Sequence, residues 1–200
     1  MIPDCTAIIL AGGDSQRMGS DKANLLLGEL TLLQRVIAKM QAVFPAVILS
    51  VRQPRPEIDL PQVCDDQAGM TPGGGPLAGL TAGLGHIATP WAFAAACDMP
   101  FIEPAMIELL AQYRADYQAV VPVVQGHLQP LAAFYARSGL GTLRAQLAGG
   151  GKNSLRAALG QLRVRYVDES ALLLADPQLR SFHDLDTPQD VAIAMNRIGG

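Results

Sequence analysis

The chain is 200 residues long, 50% hydrophobic and 16% charged, a balance that suits one folded domain over residues 1–200 and argues against a disordered tail or a coiled coil. With 15 Lys+Arg against 18 Asp+Glu, a formal net charge of −3, there is no overall basic footprint for nucleic acid or an anionic membrane. The cysteines, Cys5, Cys64 and Cys97, are odd in number and widely spaced, no run reaches the roughly 18–20 apolar residues of a membrane span, and residues 1–13 lack a basic leader, so a reducing cytoplasm is the expected setting.

In chain order, apolar runs at Ala7–Ala11, Val47–Val51, Ala92–Cys97, Ala119–Val124 and Leu131–Tyr135 read as strands, with Arg163–Val167 a weaker one. Several run on without alternation, the pattern of strands covered on both faces. Between them, Leu30–Val43 carries Leu33, Val36, Ile37 and Met40 at helical spacing and stops before Pro45. Pro76–Ala88 and Glu103–Ala115 are the next helices, each leading into a strand. Thr187-Pro188-Gln189-Asp190 supplies a capping hydroxyl, a proline at the first helical position and an acid three residues on, so a closing helix runs to about Arg197. Alternating strands and helices predict an α/β fold, three-layered and Rossmann-like, with a mostly parallel sheet. Glycine clusters at 73–75 and 149–151 mark loops, and no repeat divides the chain.

The first chemical motif is residues 10–22, LAGGDSQRMGSDK, directly after the first strand. Paired glycines let backbone N–H groups crowd around an anion, and Arg17 and Lys22 bring positive charge to the same loop. It lacks the Gly-Lys-Ser/Thr ending of a P-loop and the Gly-x-Gly-x-x-Gly spacing. The plain alternative is a solvated surface turn. The second is Cys97-Asp98-Met99-Pro100, a carboxylate closing the most hydrophobic strand. Ligands of open α/β sheets bind outside the carboxyl ends of the strands, so Asp98 is expected in the same crevice as the first loop. A Mg²⁺ ion would suit it, held by one or two carboxylates plus phosphate oxygens; a turn residue before Pro100 is the alternative. Val63-Cys64-Asp65-Asp66 and Gly75-Pro76-Leu77-Ala78-Gly79 repeat the theme of an acidic strand end and a glycine-rich helix entry, where an ordinary strand-to-helix connection explains the residues almost as well. Gly126–Leu131 reads as a plain hairpin, and Asp184 and Asp186 precede the closing helix, where they also favour its positive end. A Ser-His-Asp hydrolase would need a Gly-x-Ser-x-Gly elbow, which is absent, and His86, His127 and His183 lack metal-chelating spacing.

Taken together, L-A-G-G-x-S-x-R-M-G-x-D-K at 10–22, G-P-L-A-G-L at 75–80, C-D-M-P-F at 97–101, Q-P-L-x-A-x-Y at 129–135 and D-T-P-x-D at 186–190 resemble the MobA-type molybdenum cofactor guanylyltransferases, in the family's order and across almost the whole chain. The resemblance implies a nucleotide-diphospho-sugar transferase fold and transfer of GMP from GTP to the terminal phosphate of molybdopterin, with release of pyrophosphate and a requirement for Mg²⁺. It implies that Leu10, Ala11, Gly12 and Gly13 hold base and phosphates, that Arg17 and Lys22 lie on the triphosphate, and that Ser50 and Asp66 contact nucleotide. Asp98 would take both nucleotide and Mg²⁺, with Arg17, Lys22 and Asp98 as the catalytic set. Asp184 and Asp186 would face the pterin half, standing where the guanylyl branch often carries amides. Other molybdenum cofactor biosynthesis proteins and recipient apoenzymes are the implied partners. The rivals are a molybdopterin cytidylyltransferase, whose first loop usually reads L-A-A-G, a sugar-1-phosphate nucleotidyltransferase, and a nucleotide-binding protein of the same fold without catalysis. Gly12, lacking the methyl that would crowd a purine, and G-P-L-A-G favour guanine.

Overall fold

In the computed structural model, residues 1–12, 22–64, 75–149, 154–185 and 187–198 are described. The elements in order are β1 (Cys5–Leu10), β2 (Leu26–Leu27), β3 (Leu30–Thr31), α1 (Leu32–Val43), β4 (Ala46–Val51), β5 (Gln62–Cys64), α2 (Gly75–His86), β6 (Trp91–Ala96), α3 (Pro104–Ala111), β7 (Ala119–Val124), β8 (His127–Leu128), β9 (Ala132–Ala136), α4 (Leu140–Ala148), α5 (Leu155–Leu159), β10 (Val164–Val167), α6 (Glu169–Leu172) and α7 (Pro188–Ile198).

The main sheet runs β10-β7-β9-β6-β1-β4-β5, with β8 paired to β7. β1 is parallel to β4 and β6, β4 to β5, and β7 to β10, while β9 lies antiparallel between β6 and β7. The expected mostly parallel sheet is therefore present, with one strand inserted against the grain. The turn responsible is Gln125-Gly126, both at positive φ (50° and 75°), which folds β8 back on β7 as the hairpin read from the sequence.

Period-two side-chain direction sends Ile8 to one face of the sheet and Ala7 and Ile9 to the other. The first face packs against Leu77, Leu80 and Leu84 of α2 and Leu143 and Leu147 of α4. The second carries Phe44, Phe93 and Phe134, whose ring centroids lie 4.9–6.3 Å apart, under α1 and α3. A third cluster, Leu27, Leu32, Leu185, Val191 and Ala194, seats α7 beside the small β2–β3 hairpin.

Most element bounds move by a residue or two from the sequence reading, and the end of α3 by more than that. Leu30 and Thr31 belong to β3, and α1 starts at Leu32 because Thr31 and Gln34 form a reciprocal capping box. β5 ends where the acidic strand end was read at Val63-Cys64, without an apolar run before it, and α3 ends at Ala111 rather than Ala115. The closing helix begins as read: Asp190 N–H donates to Thr187 Oγ1 at 3.1 Å while Thr187 N–H donates to Asp190 Oδ2 at 2.8 Å.

Helix α2 approaches the sheet closely because of two glycines one turn apart. A Cβ at Gly79 would lie 2.7 Å from Ser50 Oγ, and one at Gly83 would lie 2.8 Å from Ile8 Cγ2. Gly79 thus meets the carboxyl ends of β1 and β4, and Gly83 meets Ile8 earlier in β1, so α2 runs antiparallel to these strands with its amino end at the strands' carboxyl ends. Gly83→Ala is expected to cost about 1–3 kcal/mol by overpacking against Ile8. In a chain of this size each kcal/mol lowers the melting temperature by roughly 2–4 °C, which differential scanning calorimetry would read.

Candidate active site

Consecutive strands leave β1 in opposite directions: β4 and β5 build one side, and β6 starts the other. The boundary between β1 and β6 is the sheet's topological switch point, the place where open α/β sheets bind their ligands. The backbone is knitted tightly there. Ala11 N–H donates to Ser50 C=O at 2.8 Å, Cys97 N–H to Leu10 C=O at 3.2 Å, and Ala96 N–H to Leu131 C=O at 3.1 Å.

Leu10 ends β1, and buried Ala11 and half-buried Gly12 continue from it. Ser50 stands next to the last residue of β4, and only 2% of its surface is exposed. Its hydroxyl lies beneath Gly79 and makes no hydrogen bond with a described residue. A buried donor without a partner is a group that a bound molecule can satisfy. The amino end of α2, with its outward N–H groups and partial positive charge, opens at the same end of the sheet.

Lys22 begins a 3₁₀ turn, Lys22–Asn24, and Asp98 follows β6. Their side chains meet across the crevice, with Lys22 Nζ 3.9 Å from Asp98 Oδ2 and relative exposures of 28% and 20%. That is an ion pair rather than a hydrogen bond, and it leaves both groups within reach of a ligand. The Asp98 backbone is fixed from the far end of the chain, where Leu185 N–H donates to its carbonyl at 3.0 Å. Asp184, the residue before, is exposed.

Of the residues singled out from the sequence, Leu10, Ala11, Gly12, Lys22, Ser50 and Asp98 therefore cluster at one end of the sheet, with Asp184 joined to them through the Leu185–Asp98 bond. Gly13, Arg17, Asp66 and Asp186 lie outside the described residues. Sequence reasoning placed Gly79 in a glycine-rich helix entry but missed its packing against Ser50. The tie between Leu185 and Asp98 is made by backbone and has no sequence signature.

Tyr135, in the Q-P-L-x-A-x-Y motif, braces the approach to β9: its hydroxyl donates to Pro130 C=O at 2.8 Å. Burial, with a smaller contribution from Tyr166, pushes the phenol far above its ordinary range, so it serves as a permanent donor. Among the described residues no cluster of three or more His, Cys, Asp or Glu could hold a metal by itself, and no helix is long and apolar enough to cross a membrane.

Lys22 paired with a carboxylate at the switch point, beside the end of β1 and a closely packed helix amino end, defines an α/β protein suited to nucleoside phosphates. Residues 7–165 match the model of the MobA-like NTP transferase domain. The chain belongs to this family, and so is a nucleotidyltransferase. It is 37% identical over 97% of its length and 95% of the relative's to a probable molybdenum cofactor guanylyltransferase of Chloroflexus aggregans. It is also 37% identical to the protein of that description in Pelotomaculum thermopropionicum, over 94% of this chain and 91% of the other. The crystal structure of molybdopterin-guanine dinucleotide biosynthesis protein A from Archaeoglobus fulgidus superposes with a TM-score of 0.83 at 26% identity, covering 97% of this chain and 98% of that one. The sheet and its helices are those of the nucleotide-diphospho-sugar transferase fold.

Proposed function

We propose that this protein transfers GMP from GTP to the terminal phosphate of molybdopterin, releasing pyrophosphate and forming the guanine dinucleotide cofactor. The observation that carries the reading is the meeting of Lys22 and Asp98 at the switch point, next to buried Ser50 and the amino end of α2. The guanylyltransferase name borne by the relatives supports guanine over cytosine, as do Gly12 and the G-P-L-A-G segment.

Attack by the acceptor phosphate on the α-phosphorus needs no side-chain nucleophile, so positioning and charge stabilisation carry the catalysis. The backbone from Leu10 to Gly13 holds base and phosphates, and Ser50 and Asp66 add contacts to the nucleotide. Lys22 and Arg17 neutralise the charge that builds on the leaving pyrophosphate. Asp184 and Asp186 face the acceptor. Asp98 offers a hard carboxylate beside the phosphate site, a donor that suits Mg²⁺, which favours one or two carboxylates plus phosphate oxygens. When bound, the ion offsets triphosphate charge and polarises the phosphoryl oxygens. The chain works as a single domain in the cytoplasm, delivering its product to other proteins of cofactor assembly or to recipient apoenzymes.

Thermal unfolding with each nucleoside triphosphate, with and without Mg²⁺, tests this. Ligand at 100 times its dissociation constant stabilises by about 2.7 kcal/mol, worth roughly 5–10 °C here. The expected result is a Mg²⁺-dependent rise with GTP and none with CTP. A rise with CTP alone would transfer the protein to the cytidylyl class.

A further inference from the structure

Two hydrogen bonds clamp the turn after Asp98 to the segment that precedes α7. Leu185 N–H donates to Asp98 C=O at 3.0 Å, and Glu103 N–H donates to Ser181 Oγ at 2.9 Å. Ser181 is fully buried, and its own N–H donates to Asp176 Oδ2 at 2.7 Å; Asp176 is only 3% exposed. A carboxylate is costly to bury unless hydrogen-bonded, so this one is placed to hold Ser181. Leu179, between them, takes a left-handed backbone (φ 51°) that non-glycine residues seldom adopt. The segment from 176 to 181 is thus held in a single, partly strained path.

That path delivers Arg180 onto Phe101, three residues after Asp98. The guanidinium carbon sits 5.3 Å from the ring centroid, and the N–H edge makes no hydrogen bond or ion pair with a described residue. A guanidinium held over a ring keeps N–H donors available, and its planar fork is suited to a phosphate. Arg180 and Phe101 line a cavity of about 390 Å³ together with Gln178, His183, Asp184 and Leu185. Leu185 is also the residue bonded to the Asp98 carbonyl, so the cavity adjoins the candidate active site.

We infer that Arg180, stacked on Phe101, binds an oxyanion of the phosphate-monoester acceptor, and that Asp176 and Ser181 are positioning residues that hold the stack beside Asp98. The inference rests on the guanylyl-transfer reading, because transfer requires the acceptor to be seated next to the group that holds the donor phosphates. Arg180→Ala, Arg180→Lys and Ser181→Ala are compared with wild type in two measurements: pyrophosphate release with molybdopterin varied at saturating GTP, and the thermal shift with Mg²⁺ and GTP alone. A charged hydrogen bond lost at the acceptor raises its KM by about ten- to a hundredfold in Arg180→Ala, with kcat within a few-fold and the GTP shift unchanged. Lys restores little, since it lacks the planar fork, and Ser181→Ala shows the same split at smaller amplitude. An unchanged acceptor KM in Arg180→Ala, or a GTP shift that falls in step with it, overturns the assignment. An unchanged acceptor KM in Ser181→Ala removes the positioning role. Wild-type protein that shows no GTP shift and releases no pyrophosphate overturns the underlying reading instead.

Discussion

Asp98→Asn is expected to lower turnover by about 10²–10³-fold, the cost typical of removing one preorganised electrostatic group from a reacting centre, with the fold retained. Retention follows from what holds the residue. Its carbonyl takes the Leu185 N–H, the adjacent Cys97 N–H bonds Leu10 C=O, and neither bond involves the side chain. The amide keeps the carboxylate's size and removes its charge, so the negative group offered to a divalent ion is lost and the charge facing Lys22 disappears. The ion pair itself is partly exposed on both sides, and such pairs contribute at most about 1 kcal/mol. Circular dichroism and melting should therefore be close to wild type while pyrophosphate release collapses. Wild-type turnover in this variant would remove Asp98 from the catalytic set. A large fall in melting temperature would instead make its role structural.

Much of the architecture was legible because β1, β4 and β6 are buried on both faces and so appear as uninterrupted apolar runs such as Ala7–Leu10 and Ala92–Ala96. What stayed hidden has physical reasons. The hairpin read at Gly126–Leu131 implies an antiparallel return after β7, but nothing in the apolar run Ala132–Ala136 says that β9 inserts between β7 and β6. The β2–β3 hairpin sits directly before α1, and Leu30 merges with the helical spacing of Leu33 and Val36; only Gly28, at φ 70°, marks the turn. β5 is three half-buried residues long, too short for periodicity to register, so only its acidic end at Val63-Cys64-Asp65-Asp66 marked it.

The site divides in the same way. Lys22 and Asp98 could be picked out as candidates because charged residues following strand ends suit phosphate chemistry, and strand ends can be read. Gly79 could be noticed but not explained, since the contact that forbids a Cβ belongs to Ser50 on another element. The acceptor-side arrangement was invisible: Arg180 is an ordinary surface cation until Asp176 and Ser181 bend the chain toward Phe101.

Lys22→Ala should reduce kcat/KM for GTP by about 10²–10³-fold, and its combination with Asp98→Asn separates two accounts of the site. If Lys22 and Asp98 acted on the phosphates independently, their costs would multiply, and the double variant would fall by about 10⁴–10⁶-fold. The 3.9 Å approach of Nζ to Oδ2 argues for coupling. Each group sets the field in which the other works, and removing one already misplaces the charge its partner is meant to balance. Residues that act as a unit are strongly non-additive, so the double variant is expected within about tenfold of the worse single one. Lys22→Arg refines the point, because a planar fork replaces a compact ammonium with the same charge. Activity restored mostly by Arg would show that positive charge suffices. Activity that remains low would show that the compact ammonium of Lys22 is what the site beside Asp98 requires, and steady-state kinetics of the four variants against wild type at two salt concentrations would read both effects.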